Sequence, residues 1–204
     1  MTTIPVANIP GATTPVATAP EGTATGAKLR SVAAALERLT TTLARRPASG
    51  VHDDVAAEAR LDGATRTVVR HPDGTCLATD MPAAFGGGGA DVSPGWLFRA
   101  GLASCAATSI ALVAARRGIV LSALSVRAAS RSDTRGLLAI ADAHGHPVPA
   151  GPLDVELRVS IDADDVPDAV LRALVDDALA ASPVPSMVRT ATPLDVRVEV
   201  AGSR

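Results

Sequence analysis

Residues 93–112 read Ser-Pro-Gly-Trp-Leu-Phe-Arg-Ala-Gly-Leu-Ala-Ser-Cys-Ala-Ala-Thr-Ser-Ile-Ala-Leu, a nearly unbroken run of apolar and small residues. Pro94 suits the first turn of a helix, and Gly118 suits the position just after its end. Arg99 is the only charged residue of the run before Arg116. Because a helix that is apolar around most of its circumference is buried, the run predicts a long helix at the centre of the fold.

Alternating apolar and polar residues on both sides of this helix predict strands. The alternation is clearest at 153–161, where the apolar residues share one face and the charged or polar residues share the other. The predicted strands are 65–70, 75–79, 124–128, 153–161 and 194–200, and the first two form a hairpin around a turn at 71–74. A second helix follows 153–161, with Asp165 or a neighbour as its cap, and the prolines after Ser182 end it.

The resulting order β-β-α-β-β-α-β, with strands that are apolar on one face, predicts an α+β fold with a largely antiparallel sheet. Ahead of it, residues 1–27 are rich in Thr, Ala and Pro and predict a flexible tail, or a segment lying across a partner subunit. Residues 28–57 predict an amphipathic helix and a linker. The apolar stripe packs on the same domain or forms a dimer seam; its members are Leu29, Val32, Leu36, Leu39 and Leu43.

Composition narrows the function classes. Among 204 residues, 47% are hydrophobic but only 1% are aromatic, so Ala, Val, Leu and Ile must fill the core. A net charge of −2 without a basic stripe argues against nucleic acid as a partner. No sufficiently long uncharged apolar run and no signal-like start are present, so we expect a cytoplasmic protein with no membrane contact. Two cysteines do not make a disulfide framework, and both thiols are expected to be reduced.

Three further patterns have ordinary interpretations. The four glycines at 86–89 are not followed by Lys-Ser/Thr, so they predict a flexible connection rather than a phosphate loop. His144 and His146 with Asp142 make a poor metal site, and the sequence implies no metal and no cofactor. Asp133 and Arg135 are expected to form an ion pair in a loop.

Cys105 lies within the central helix and is either a small buried residue or a reactive thiol. A cysteine is a good nucleophile only as a thiolate, which needs nearby cations or the amides of a helix terminus. Cys105 lies almost three turns from the start of its helix, and Arg99 is roughly 120° away around it. The activating cation must therefore come from elsewhere in the fold, and Arg66 is the candidate.

The order of elements and several short motifs together resemble the OsmC/Ohr family of thiol peroxidases, over residues 58–201. The motifs are Asp80-Met-Pro, the glycines at 86–89, Ser93-Pro, Leu102-Ala-Ser-Cys105, Ser132-Asp-Thr-Arg-Gly136 and Ser182-Pro-Val184. The resemblance implies an OsmC-like domain at 58–204. It also implies an intertwined homodimer, with antiparallel sheets wrapped around central helices and an active site at the subunit interface.

The resemblance also implies a chemistry. In the family's peroxidases a helix cysteine attacks the hydroperoxide and becomes a sulfenic acid, and a second cysteine closes a disulfide that a dithiol reductant reopens. An Arg and a Glu assist the first thiol. Here the helix cysteine is Cys105, and the Arg is matched by Arg66 or, less well, by Arg70.

Two members of that set are missing. Gly95 stands at the position of the Glu, and Ala181 and Ser182 stand where the second cysteine is expected. Ser182 is instead expected to cap or turn the chain beside Pro183. Cys76 is the remaining candidate for a resolving thiol, and its ordinary interpretation is a core residue of a strand.

The leading hypothesis is therefore an OsmC-like thiol protein related to organic hydroperoxide reduction, with Cys105 and Arg66 at a one-cysteine or degenerate site. The alternative is a non-catalytic dimer that binds a small hydrophobic ligand in a pocket formed by Trp96, Phe98 and Cys105, with Ser182 nearby. Trp96 is otherwise expected in the core. A third possibility is that the N-terminal helix and tail serve as docking elements.

Overall fold

The computed structural model describes residues 23–200. Its helices are α1 Thr23–Arg45, α2 Pro94–Arg116, α3 Thr134–Leu137, α4 Asp168–Ala180 and α5 Pro183–Thr190, and its strands are β1 Glu58–Leu61, β2 Thr67–Arg70, β3 Cys76–Thr79, β4 Ala123–Arg131 and β5 Asp154–Asp162. The predicted α+β class and antiparallel pairing are confirmed. Most of the predicted tail at 1–27 lies outside the described residues, and α1 begins at Thr23 rather than at Lys28.

The central helix is confirmed as α2. The Ser93 hydroxyl accepts a hydrogen bond from the Trp96 backbone N–H at 3.2 Å, which caps the helix, and Gly118 follows its end with a φ of 68°. Buried residues recur every four positions along one face, namely Leu102, Ala106, Ile110 and Ala114. By length and composition this helix is apolar enough to cross a membrane, but it packs against α1, α4, α5 and β4. Only 22% of its most apolar stretch is buried within the chain, so the expectation that the helix is buried around most of its circumference is wrong for the single chain: one face packs and the rest is exposed.

The core lies between α2, α4 and the β4–β5 sheet. Ile110 and Ala114 of α2 contact Leu174 and Ala178 of α4, and all four are fully buried. The small alanine side chains let the two helices approach closely. Strand β5 faces this core with alternate residues only, as its alternating sequence predicts. It pairs antiparallel with β4 along nine residue pairs, from Ala123↔Asp162 to Arg131↔Asp154.

A second, separate sheet has the order β1-β2-β3. The predicted hairpin is confirmed as β2 and β3, and Gly74 in its turn has a φ of 96°, which suits glycine. Strand β1 was not predicted. Cys76 begins β3 and is exposed, so its assignment as a core residue is wrong: it lies next to the hairpin turn, away from the core.

The region after β5 differs from the prediction in two places. Asp165 does not cap α4; it has a φ of 57°, and Pro167 precedes the first helical residue without a side-chain cap. The prolines after Ser182 do end α4, but they also open a new helix, α5. Proline is tolerated in a first turn because its missing N–H has no partner there.

The predicted last strand is not formed. Residues 192–200 lie in no helix or strand, although their apolar residues alternate as in a strand. Leu194 is 87% exposed and Val198 is 80% exposed. Within residues 23–200 this segment pairs with no other strand, so the alternating pattern alone does not produce a sheet.

Candidate functional site

Cys105 contacts the segment between α4 and α5. Its Sγ lies 3.4 Å from the Oγ of Ser182, and Ser109 donates a hydrogen bond to the same Oγ at 2.9 Å. Cys105 is partly buried, whereas Ser182 has no exposed surface at all. The structure therefore brings together the helix cysteine and the residue that stands where a second cysteine was expected.

Local geometry explains how the three side chains meet. Ser109 follows Cys105 by four positions on α2, so the two share one helix face, roughly 40° apart. Ser182 is the residue just before α5, but its side chain accepts no hydrogen bond from the first turn of that helix. The prediction that its hydroxyl caps or turns the chain is therefore wrong. The hydroxyl points inward, to α2.

The start of α5 also places a helix terminus beside the thiol. Helix α2 is continuous through Cys105, so its own N-terminus is too far away to stabilise a thiolate. Helix α5 begins directly after Ser182, whose Oγ contacts the thiol, so the partial positive charge of that terminus is adjacent to Sγ. Pro183 and Pro185 have no N–H, however, and cannot donate hydrogen bonds there.

An apolar cavity of about 190 Å³ opens one helical turn from Cys105. It is lined by Leu102, Val155, Leu157, Leu179, Pro185, Val188 and Arg189. A larger groove of about 450 Å³ lies between β5 and α4, but none of its lining residues comes from α2. The smaller cavity is the one related to the thiol, because Leu102 precedes Cys105 by a turn and Pro185 follows Ser182.

The pocket predicted from Trp96 and Phe98 is not formed in the single chain. Trp96 is 50% exposed and Phe98 is 41% exposed, so neither is a core residue. Phe98 lies on the same face of α2 as Cys105, but Trp96 lies roughly 180° around the helix from it. The expectation that Trp96 lies in the core is therefore wrong, whereas the pocket with the thiol was expected at a dimer interface and stays a prediction.

Arg66 is bound to carboxylates of its own chain. Its Nε donates to Asp91 at 2.7 Å, and its Nη1 pairs with Asp62. The hydrogen bond and charge of Asp91 raise the pKa of Arg66 above its ordinary value, with a further contribution from Asp62. No described contact joins Arg66 to Cys105 within the chain.

Asp80 anchors the glycine loop that leads to α2. Its carboxylate accepts hydrogen bonds from the Thr65 hydroxyl at 2.6 Å and from the backbone N–H groups of Met81, Gly88 and Gly89 at 2.8, 2.7 and 3.2 Å. The hydrogen bond from Thr65 is the largest cause of a lowered pKa for Asp80, and the backbone hydrogen bonds act in the same direction. Burial of the carboxylate acts in the opposite direction.

The close packing of the 86–89 loop explains why it contains glycine. A Cβ on Gly87 would lie 1.9 Å from the Met81 carbonyl oxygen, so only glycine fits there. The loop at 86–89 is therefore held by a carboxylate of the same chain, and the prediction of a flexible connection is wrong. With Arg66 bound to Asp91 at the end of this segment, the loop fixes the position at which α2 begins.

Cys76 lies beside the hairpin turn, where its Sγ is 3.4 Å from the Gly74 carbonyl oxygen and 3.5 Å from Nη1 of Arg70. Both cysteines are free thiols, and no described contact joins them. Asp142 accepts hydrogen bonds from the backbone N–H groups of His144 and His146, which shapes their loop. Across 23–200, no group of three or more His, Cys, Asp or Glu residues is arranged to hold a metal ion.

A family model described as OsmC-like protein matches residues 86–197, more than half of the chain. The chain belongs to the OsmC family. The match includes Cys105, Ser109 and Ser182, so the contact described above lies within the OsmC-like region. A search of curated proteins gave no significant match.

Solved structures support the same fold. An OsmC-like protein from Mycoplasma pneumoniae has a TM-score of 0.56 at 14% identity, covering 69% of this chain and 90% of that chain. The organic hydroperoxide resistance protein OsmC from Legionella pneumophila has a TM-score of 0.51 at 23% identity, covering 69% and 92%. At these identities the likeness establishes the fold.

Sequence reasoning missed two contributions to the site. Ser109 could have been found, because its spacing of four from Cys105 places both on one helix face. The carboxylate role of Asp80 had no comparable signal, because Thr65 and the glycines reach it from separate parts of the sequence.

Proposed function

We propose that the protein reduces organic hydroperoxides with Cys105 as its nucleophile, through a one-cysteine reaction cycle. The observation that carries the proposal is the contact of 3.4 Å between Cys105 Sγ and Ser182 Oγ. The residue at the expected position of a second cysteine lies against the helix cysteine, as a resolving residue would. It carries a hydroxyl instead of a thiol, and so it cannot form a disulfide.

The proposed cycle has three steps. The Cys105 thiolate attacks one oxygen of the hydroperoxide, the O–O bond breaks, and the leaving alkoxide takes a proton to become an alcohol. The cysteine is then a sulfenic acid. An external thiol attacks its sulfur and releases water, which gives a mixed disulfide. A second thiol, or the second group of a dithiol, releases the reduced cysteine and an oxidised reductant.

The surroundings of Cys105 suit an organic rather than a small inorganic peroxide. The cavity of about 190 Å³, one helical turn from the thiol, has six apolar lining residues that can contact an alkyl or aryl group, together with Arg189. The same cavity favours the second candidate function, a module that binds a small hydrophobic ligand without turnover. The role of Arg66 at the thiol stays a prediction, because its described partners are Asp62 and Asp91.

We also propose that the working form is a cytoplasmic homodimer. The segment at 192–200 supports the dimer, because its alternating apolar residues are exposed and pair with no strand of the described chain. Exposed apolar residues on a free strand-like segment are stabilised by pairing with another chain. Phe98 and Trp96 add exposed apolar surface on α2.

The test is the consumption of cumene hydroperoxide by the purified protein in the presence of a dithiol. The parent and Cys76→Ser proteins are expected to consume peroxide at equal rates, and Cys105→Ser is expected to show only the background rate. Equal rates for the parent and Cys105→Ser would reject catalysis. Binding of an apolar dye without turnover in any variant would then favour the binding module.

A further inference from the structure

The hydroxyl of Ser182 is the polar group that faces the thiol of Cys105. It has no exposed surface, it accepts a hydrogen bond from Ser109 at 2.9 Å, and it lies 3.4 Å from Sγ. A serine hydroxyl has one proton to donate and two lone pairs to accept with. Because Ser109 supplies the proton of their shared bond, the proton of Ser182 is left for the sulfur.

We propose that Ser182 is a positioning residue that stabilises the thiolate of Cys105, with Ser109 supporting it from the adjacent turn of α2. The inference rests on the proposed function, because it concerns the same thiol. A neutral thiol can either donate to Ser182 or accept from it. A thiolate can only accept, so deprotonation orients the two hydroxyls into one chain that runs from Ser109 through Ser182 to Cys105.

Such a chain is stronger than its separate bonds. Hydrogen bonds to a charged group are roughly twice as strong as those between neutral groups. Inside a protein, consecutive hydrogen bonds also polarise one another. Ser182 is fully buried, so water does not compete for its hydroxyl. The chain therefore favours the charged form of Cys105 without a cation in contact with it.

Other donors near the sulfur are limited. Pro183 and Pro185 remove two backbone N–H groups from the start of α5. Arg66 is bound to two carboxylates of its own chain. Over residues 23–200, Ser182 is the side chain found within hydrogen-bond distance of Cys105 Sγ. Substitution of a thiol by a hydroxyl at this position thus removes disulfide formation and leaves a hydrogen-bond donor.

The experiment follows the rate at which iodoacetamide alkylates Cys105 as a function of pH. A Cys76→Ser background leaves Cys105 as the chain's single thiol. We expect Ser182→Ala to move the pH midpoint of the rate up by about one unit, the size of one hydrogen bond to a charged group. Ser109→Ala is expected to move it in the same direction by less. The double variant should match Ser182→Ala, because Ser109 acts only through Ser182.

Circular dichroism and denaturant midpoints confirm that each variant is folded. A purely structural role for Ser182 would change the denaturant midpoint and leave the pH midpoint where it is, which would overturn the inference. If Ser182→Ala does not fold, Ser109→Ala decides: an unchanged pH midpoint overturns the inference, and a raised one supports it. Alkylation needs no peroxide, so a raised midpoint without peroxide turnover rejects the proposed function and keeps this inference. Peroxide turnover with an unchanged pH midpoint of alkylation supports the proposed function and overturns this inference.

Discussion

Replacing Ser182 with cysteine should restore a disulfide that this chain cannot form. Cys105 Sγ and Ser182 Oγ are 3.4 Å apart, and a disulfide needs about 2.0 Å, so the gap to close is about 1.4 Å. A C–S bond is longer than a C–O bond, and small side-chain rotations can supply the rest. The two positions are 77 residues apart, and closing a loop of that size stabilises the folded state by up to about 4.5 kcal/mol in the chain-entropy model.

The assay uses a Cys76→Ser background and mild oxidation, followed by thiol titration in denaturant and by urea unfolding with and without reductant. We expect Ser182→Cys to lose both titratable thiols and to gain stability that reductant removes. Ser104→Cys is the matched control: it adds a second thiol next to Cys105 on α2, where regular helix geometry does not allow the two sulfurs to bond. Two free thiols in oxidised Ser182→Cys would refute the geometry of the site.

Three further predictions test the scaffold around this site. The pKa of Asp80 is lowered below its ordinary 3.8, so its charge stabilises the fold at pH values above 3.8, and this stabilisation is lost as the pH falls through the lowered pKa. Asp80→Asn should therefore be less stable than the parent at neutral pH and equally stable in strong acid. A difference in urea midpoints that stays constant with pH would contradict this. Leu174 is fully buried in the core, so Leu174→Ala should lower the free energy of unfolding by about 2–5 kcal/mol, and a loss below 1 kcal/mol would mean that α4 does not pack as described. Val198→Asp should reduce the molecular mass measured by light scattering from that of a dimer to that of a monomer. Arg197 lies on the opposite, polar face of the same segment, so Arg197→Ala should leave the dimer intact. An unchanged mass for Val198→Asp would exclude this segment from the interface.

Much of the fold could be predicted because its signals are local. Helix α2 follows from one apolar run, and β5 follows from strict alternation along its own length. The failures occur where the outcome depends on partners distant in the sequence. The segment at 192–200 has the pattern of a strand, but forming one requires pairing with a sheet edge, and in the described chain it pairs with neither sheet. The prolines after Ser182 predict the end of α4, but their pattern alone does not predict that they also begin α5.

The candidate site was predictable in part for the same reason. The importance of Cys105 followed from the family resemblance, and the absence of a second cysteine could be read directly from the sequence. That Ser182 contacts Cys105 could be expected only by analogy, because the two are brought together by the packing of α5 on α2. The ion pair of Arg66 with Asp91 joins a turn between strands to the end of the glycine loop, and no sequence spacing predicts it.

The central claim is that Cys105 reacts as a single cysteine. The most direct test treats the reduced protein with one equivalent of cumene hydroperoxide in the presence of dimedone, which labels sulfenic acids, and locates the adduct by mass spectrometry of peptides. The account predicts a dimedone adduct on Cys105, none on Cys76, and no peptide that joins the two cysteines. A disulfide between Cys76 and Cys105, or an unlabelled and unoxidised Cys105, would contradict it.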